Sequence, residues 1–217
     1  MDTARISMLL EPFLESPLPP GSLVQISMYI DLLLRWNARV NLTAVREPEH
    51  IVTRHFGESL FLARHLLPLE RGPAGGTGCR VIDLGSGAGF PGLPLKIWDP
   101  SIDLTLIESN HKKAAFLREI ARELTLTAVH VVTERAESLA SLPGFARAGL
   151  VTLRAVERFE AVVPVAVSLI APQGRLALLI GSSQVPSLAS FSPAIQWNAP
   201  IPIPQSASRV LIHGPIR

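Results

Sequence analysis

Three glycines spaced two apart, Gly85, Gly87 and Gly89, follow an apolar run containing Val81, Ile82 and Leu84, and the next such run, Leu104 to Ile107, ends in Glu108. Glycines after a strand let the backbone turn sharply and approach a ligand that side chains would keep away. An acid at the end of the following strand can accept hydrogen bonds from both hydroxyls of a ribose. The pair describes a cradle for a nucleotide-like ligand, with the chain entering a helix near Pro91, a favoured first helical position.

The glycine register narrows the ligand. A dinucleotide pattern can be forced through Gly87, Gly89 and Gly92, but its first glycine then lies beyond the turn that follows Asp83. In the natural frame Phe90 comes next, so a pyrophosphate lacks its third glycine, and no Lys-Ser or Lys-Thr pair follows for a triphosphate. Asp83 stands two residues before the first glycine, where a carboxylate and turn carbonyls suit a ligand with a cationic amino-acid end. S-adenosylmethionine is such a ligand. The plainer alternative is that Asp83 caps the turn and the glycines only permit it.

Other chemistries find little support. Cys79 stands alone, which excludes an internal disulfide, and the histidines fall at no metal-ligand spacing, so no metal site is expected. There is no Gly-x-Ser-x-Gly elbow for covalent hydrolysis, no Asn-Pro-Pro or Asp-Pro-Pro to grip an exocyclic amine, and no Pro-Cys pair to attack a pyrimidine. What remains is transfer to an acceptor that is already nucleophilic, where holding the reactants in line contributes roughly 7 to 11 kcal/mol without a general base.

These residues need a scaffold, and the chain alternates accordingly. Strands are predicted near Arg80 to Leu84, Asp103 to Ile107, Val129 to Val132, Leu150 to Leu153 and Arg175 to Leu179, with helices at Leu93 to Trp98, His111 to Leu124 and Phe159 to Ile170 between them. That rhythm means an α/β fold with a mostly parallel sheet covered on both faces and ligands at the C-terminal strand ends. Prolines at 193, 200, 202 and 204 break the rhythm, and edge strands are expected around Ile195 to Ile201 and Arg209 to Ile212. Ahead of the strands lie helical patterns at Ile6 to Leu14, from Leu23 to Trp36 with Ser22 available as a cap, and from Pro48 to Leu66. Residues 71–78, RGPAGGTG, read as a linker between an N-terminal helical extension, 1–70, and the core, 79–217.

With 217 residues and a net charge of +2, the chain is one compact enzyme's worth of sequence and not a nucleic-acid coat. No acid follows Glu160, while Arg175, Arg209 and Arg217 remain, so the last quarter carries only positive formal charge. No signal peptide is visible, and the longest apolar segment, Ala161 to Ala171, is too short to span a bilayer; a cytoplasmic protein without membrane contact is expected.

Several blocks resemble one family. WNARVNLTAVREP from Trp36 to Pro48, Arg54-His55 with Ser59, LGSGAGFPGLPLKI from Leu84, and the Ile107 to Glu119 stretch are similar to the bacterial small-subunit ribosomal RNA guanine-N7 methyltransferases, the glucose-inhibited division protein B family. The resemblance covers roughly residues 25–185. It implies a class I, Rossmann-like methyltransferase fold with a seven-stranded sheet, S-adenosylmethionine as donor, and guanine N7 of 16S ribosomal RNA, free or in a ribosomal particle, as acceptor; a monomer is expected. By matching positions it implies cofactor contacts at Gly85, Phe90, Ala136 and Glu137, and a place for Arg154 beside cofactor and acceptor. An arginine there can donate to guanine O6 or a phosphate and cannot serve as a base. A salt bridge to Glu157 is the plainer reading of Arg154, and a local pair with Glu58 that of Arg54. Lys112, Lys113 and Arg118 are candidates for RNA phosphates or for a solvated helix face. The chain departs from the family pattern at Ile180, where a lysine is usual, and at Ser208, one place from Arg209. A methyltransferase for a small molecule or protein, and a non-catalytic binding protein on the same fold, are the alternatives.

Overall fold

The structure is a computed structural model that describes residues 1–67, 79–154 and 159–217. The expected linker, 71–78, and Glu157 lie outside the described residues.

The N-terminal extension holds α1 (Thr3–Leu10), α2 (Pro20–Val40), α3 (Pro48–Ile51) and α4 (Glu58–Leu66). α2 begins three residues earlier than its apolar periodicity does, with Pro20 in the first turn after Pro19. Ser22 therefore lies inside the helix, where its N–H donates to the Pro19 carbonyl, and is not the cap. The single helix predicted from Pro48 is interrupted by a π-helical turn, Val52–Gly57, that joins α3 to α4 and carries Arg54 and His55.

The sheet is built from β1 (Arg80–Leu84), β2 (Asp103–Ile107), β3 (Val129–Val132), β4 (Ala148–Arg154), β5 (Ile170–Gly181), β6 (Ile201–Pro202) and β7 (Arg209–Pro215), in the order β3-β2-β1-β4-β5-β7-β6. β1 to β5 run parallel, and β7 returns antiparallel between β5 and β6. β5 differs from expectation: α8 (Phe159–Ser168) ends two residues sooner, and Ile170 already pairs with Ala148 across a register shift. The expected strand around Ile195 reduces to one bridge with Ile216, and β6 is a two-residue edge in which Pro202 is tolerated.

Side-chain alternation along the strands separates two apolar cores. Val81, Leu104 and Leu150 join α5 (Gly92–Trp98), α6 (His111–Glu123) and the extension on one face. Ile82, Val151 and Leu153 face Val163 and Ala166 of α8 on the other. The extension is thus part of the first core and not an appendage. Tyr29 of α2 stacks on Phe90 at 5.3 Å, and Trp36 Nε1 donates to Glu119 of α6 at 3.1 Å. Because the chain moves outward from β1 to β3 and then returns to β4 on the other side, a crevice opens at the C-terminal ends of β1 and β4, the place such sheets bind ligands. Among the described residues no helix is long and apolar enough to cross a membrane.

Candidate active site

The glycine loop leaves β1 with Gly85, Gly87 and Gly89 at φ of 71°, 55° and 89°, a region that other residues enter only at a cost. Two amides fasten it to the neighbouring strand, since Gly85 and Ser86 N–H donate to the Ile107 carbonyl at 2.9 and 3.1 Å. Glu108 completes the join. Its Oε2 accepts from Gly87 N at 2.9 Å and its Oε1 from Asn110 N at 2.8 Å, leaving each oxygen a lone pair for another donor. The Asn110 side chain in turn accepts from Lys112 N and Lys113 N and starts α6, a cap that sequence reading missed.

The structure places Asp83 differently from the expected ammonium contact. Its carboxyl is 1 % exposed, with Oδ1 accepting from Thr152 Oγ1 at 2.8 Å and Oδ2 from Gly92 N at 3.2 Å. Burial pushes this carboxyl up to about 6, against the pull of those hydrogen bonds. Asp83 therefore fixes the helix start to β1 and β4. The helix starts at Gly92 and not Pro91, and only glycine fits at this start, because a Cβ at Gly92 would lie 2.8 Å from that of Asp83. Phe90 likewise turns from the crevice, buried between the rings of Tyr29 and His55.

Against the loop lies a cavity of about 310 Å³. Leu84, Ile107 and Val162 give it apolar walls, and Gly85, Glu137 and Arg154 its polar edges. Of the expected site residues, Gly85, Ala136, Glu137 and Arg154 line it; Ala136 and Glu137 do so from the first turn of α7 (Ala136–Ala140), a short helix not predicted. Ser109 and Val165 are lining residues that sequence reading did not single out. Their signal was only their place beside an expected acid and on an apolar helix. The volume falls at the lower end of small-molecule sites. A Cβ at Gly85 would meet nothing within 4 Å, so the space over the loop is open, and the residues fit an adenosine-like group.

Arg154, at the end of β4, is only 8 % exposed and makes a long-range ion pair. Its Nη2 lies 3.3 Å from Glu58 Oε2, which also accepts from Arg209 Nε at 3.0 Å, while Glu58 Oε1 accepts from Arg54 Nε at 3.1 Å. One carboxylate, 1 % exposed, thus faces three guanidinium groups and leaves an excess of positive charge at the crevice. Burial draws Arg154 down to about 10, so it stays charged at neutral pH. Arg209, one position from the place the family pattern gives an arginine, pairs with Glu58, whereas Ile180 is 4 % exposed within the second core. Arg118 donates from Nη2 to Thr133 Oγ1 at 2.6 Å and ties α6 to the end of β3; Lys112 is exposed and Lys113 half-buried, with no ion-pair partner among the described residues.

A strand-ordered sheet with one antiparallel return, a glycine loop after β1 and an acid after β2 define the class I methyltransferase fold. Solved structures agree: magnesium protoporphyrin IX methyltransferase from Synechocystis, with bound S-adenosylmethionine, matches 94 % of this chain and 100 % of its own at a TM-score of 0.63 and 15 % identity. The ribosomal protein L11 methylase from Lactobacillus delbrueckii matches 76 % of this chain and 79 % of its own at 0.59 and 12 % identity. Sequence similarity is more particular. The chain belongs to the family described as GidB, rRNA small subunit methyltransferase G, whose profile matches residues 22–201. It is 37 % identical over 184 residues to ribosomal RNA small subunit methyltransferase G of Xylella fastidiosa, covering 84 % of this chain and 81 % of that one. To its namesake in Chloroflexus aggregans it is 39 % identical over 180 residues, covering 82 % and 72 %.

Proposed function

We propose that this chain transfers a methyl group from S-adenosylmethionine to N7 of a guanine in 16S ribosomal RNA. The observation that carries the reading is that the matched family segment contains the glycine loop, Glu108, Arg154 and the extension residues packed against Arg154. When bound, S-adenosylmethionine supplies an electrophilic methyl on a sulfonium. Glu108 holds Gly87 in place and keeps lone pairs for the ribose hydroxyls, while Ile107 and Val162 exclude water from the base. Ala136 and Glu137 offer polar atoms at the cavity edge. Arg154 donates to guanine O6 or a neighbouring phosphate and so orients the acceptor. Guanine N7 presents a lone pair and no proton, so the site needs no base, and orientation carries the chemistry.

Lys112 and Lys113 serve as outer contacts for RNA phosphates. They occupy the first turn of α6, where the helix dipole disfavours cations, so the helix itself gains nothing from them. The chain acts as a single copy, in the cytoplasm with its RNA. Mapping N7-methylguanine on 16S ribosomal RNA from cells with and without this protein tests the reading. One site lost without it and restored by the wild-type chain is the expected result; an unchanged map overturns it.

A further inference from the structure

The guanidinium of Arg154, which lines the cavity, is held by the N-terminal extension. Nη2 has two hydrogens, and the extension takes both: the Arg54 carbonyl accepts at 2.5 Å and His55 Nδ1 at 3.0 Å, with Glu58 lying alongside at 3.3 Å. Arginine can only donate, so Nδ1 of His55 must be the acceptor and Nε2 must carry the proton. That proton goes to Thr43 Oγ1 at 2.8 Å, an oxygen that also accepts from Val45 N at 3.1 Å. Thr43 is itself held by Asn37, which exchanges two hydrogen bonds with its backbone at 2.9 and 3.0 Å. His55 finally stacks on Phe90 at 4.7 Å, so the ring is fixed in plane as well as in tautomer. The other terminal nitrogen of Arg154, Nη1, is buried and has no partner among the described residues, and Arg154 lines the cavity.

We propose that His55 is a positioning residue: by accepting from Nη2 it locks the guanidinium in one rotation, so that the two N–H bonds of Nη1 are left for the bound acceptor. The chain Asn37, Thr43, His55 then makes the extension a part of the catalytic apparatus, acting through Arg154 and not on substrate. Burial and the surrounding arginines hold His55 down to about 3, which keeps Nδ1 free of a proton, as an acceptor must be. A ring that protonated would lose the Arg154 contact outright.

The inference rests on methyl transfer to ribosomal RNA, and the test separates the two. His55→Asn places an amide oxygen near the position of Nδ1, whereas His55→Gln places it near that of Nε2; both lose the stacking, so they differ in where the acceptor sits. Initial rates with 16S ribosomal RNA and labelled S-adenosylmethionine should show kcat reduced at least about tenfold in His55→Gln and no more than about threefold in His55→Asn, with KM for S-adenosylmethionine near wild type in both. Thr43→Val, which releases the ring and leaves His55 in place, should lower kcat in the same way and serves if either His55 variant fails to fold. Equal losses in the two variants, a better Gln than Asn, a change confined to KM for the donor, or full activity in Thr43→Val would overturn the positioning role. No transfer by the wild-type chain would overturn the RNA reading itself, and the positioning role with it.

Discussion

Arg154 is placed at a strand end beside a cavity, where its sequence position implies an exposed side chain whose removal the fold would scarcely register. Its burial against Glu58 changes that expectation. Arg154→Ala removes a charge-assisted contact and the donors to the Arg54 carbonyl and His55, so unfolding free energy should fall by about 1 to 3 kcal/mol in denaturant titrations. Arg54 and Arg209 still neutralise Glu58, which keeps the loss below that of stranding a buried charge. Methyl transfer should drop further, at least about tenfold at matched folded concentration. Arg154→Lys should restore part of the stability and little of the rate, because a lysine cannot grip the extension with one nitrogen and the acceptor with another. A variant with wild-type turnover would make Arg154 purely structural.

At the scale of elements, the loop glycines have separable duties. A Cβ at Gly85 meets open space and costs only the strain of φ 71°, so Gly85→Ala should fold with a loss of roughly 1 to 2 kcal/mol yet bind S-adenosylmethionine more weakly. At Gly89 the same atom would run into the Tyr29 hydroxyl and lie 2.5 Å from Leu93 Cδ1, and Gly89→Ala should lower the melting temperature more than Gly85→Ala does. Calorimetry and melting curves on the pair check both; equal melting losses would contradict the division. The sheet was legible because its parallel strands are short apolar runs that alternate with helical patterns, and because glycines needing positive φ are spaced as a loop needs them. The π-turn was not, since Pro48 to Leu66 keeps one helical apolar pattern through it. Nor could the sequence show that Glu58 meets Arg209, 151 positions further on, when Arg54 stood one turn away as a sufficient local partner. The partners of Asp83 are hidden for a related reason: its proximity to the glycines is sequential, while its hydrogen bonds are to Thr152 and Gly92.

For the molecule as a whole, acid stability follows from two buried groups with opposed shifts. His55 is held near 3 against an ordinary 6.5, so below that ordinary value the unfolded chain takes up a proton the folded one refuses, and stability is lost as pH falls through this window. Asp83, raised from 3.8 to about 6, keeps a proton in the folded state that the unfolded chain has released, and so opposes His55 between about 6 and 3.8, through most of the same window. The two nearly cancel between about 6 and 3.8 in the wild-type chain, and His55→Phe, which leaves Asp83 unopposed, should shift the melting temperature upward on acidification through that range relative to wild type; an identical slope would mean His55 titrates freely. The seam between extension and core holds a last consequence. Tyr29 is the chain's one tyrosine, fully buried, with its hydroxyl donating to the Ala88 carbonyl at 2.5 Å and its ionisation pushed well above the ordinary phenol range. A single phenol on the underside of the glycine loop is a built-in optical reporter. In an alkaline jump its phenolate absorbance should appear at the rate at which the seam parts, and added S-adenosylmethionine should slow that appearance, so the lifetime of the loop's support can be timed without attaching a dye.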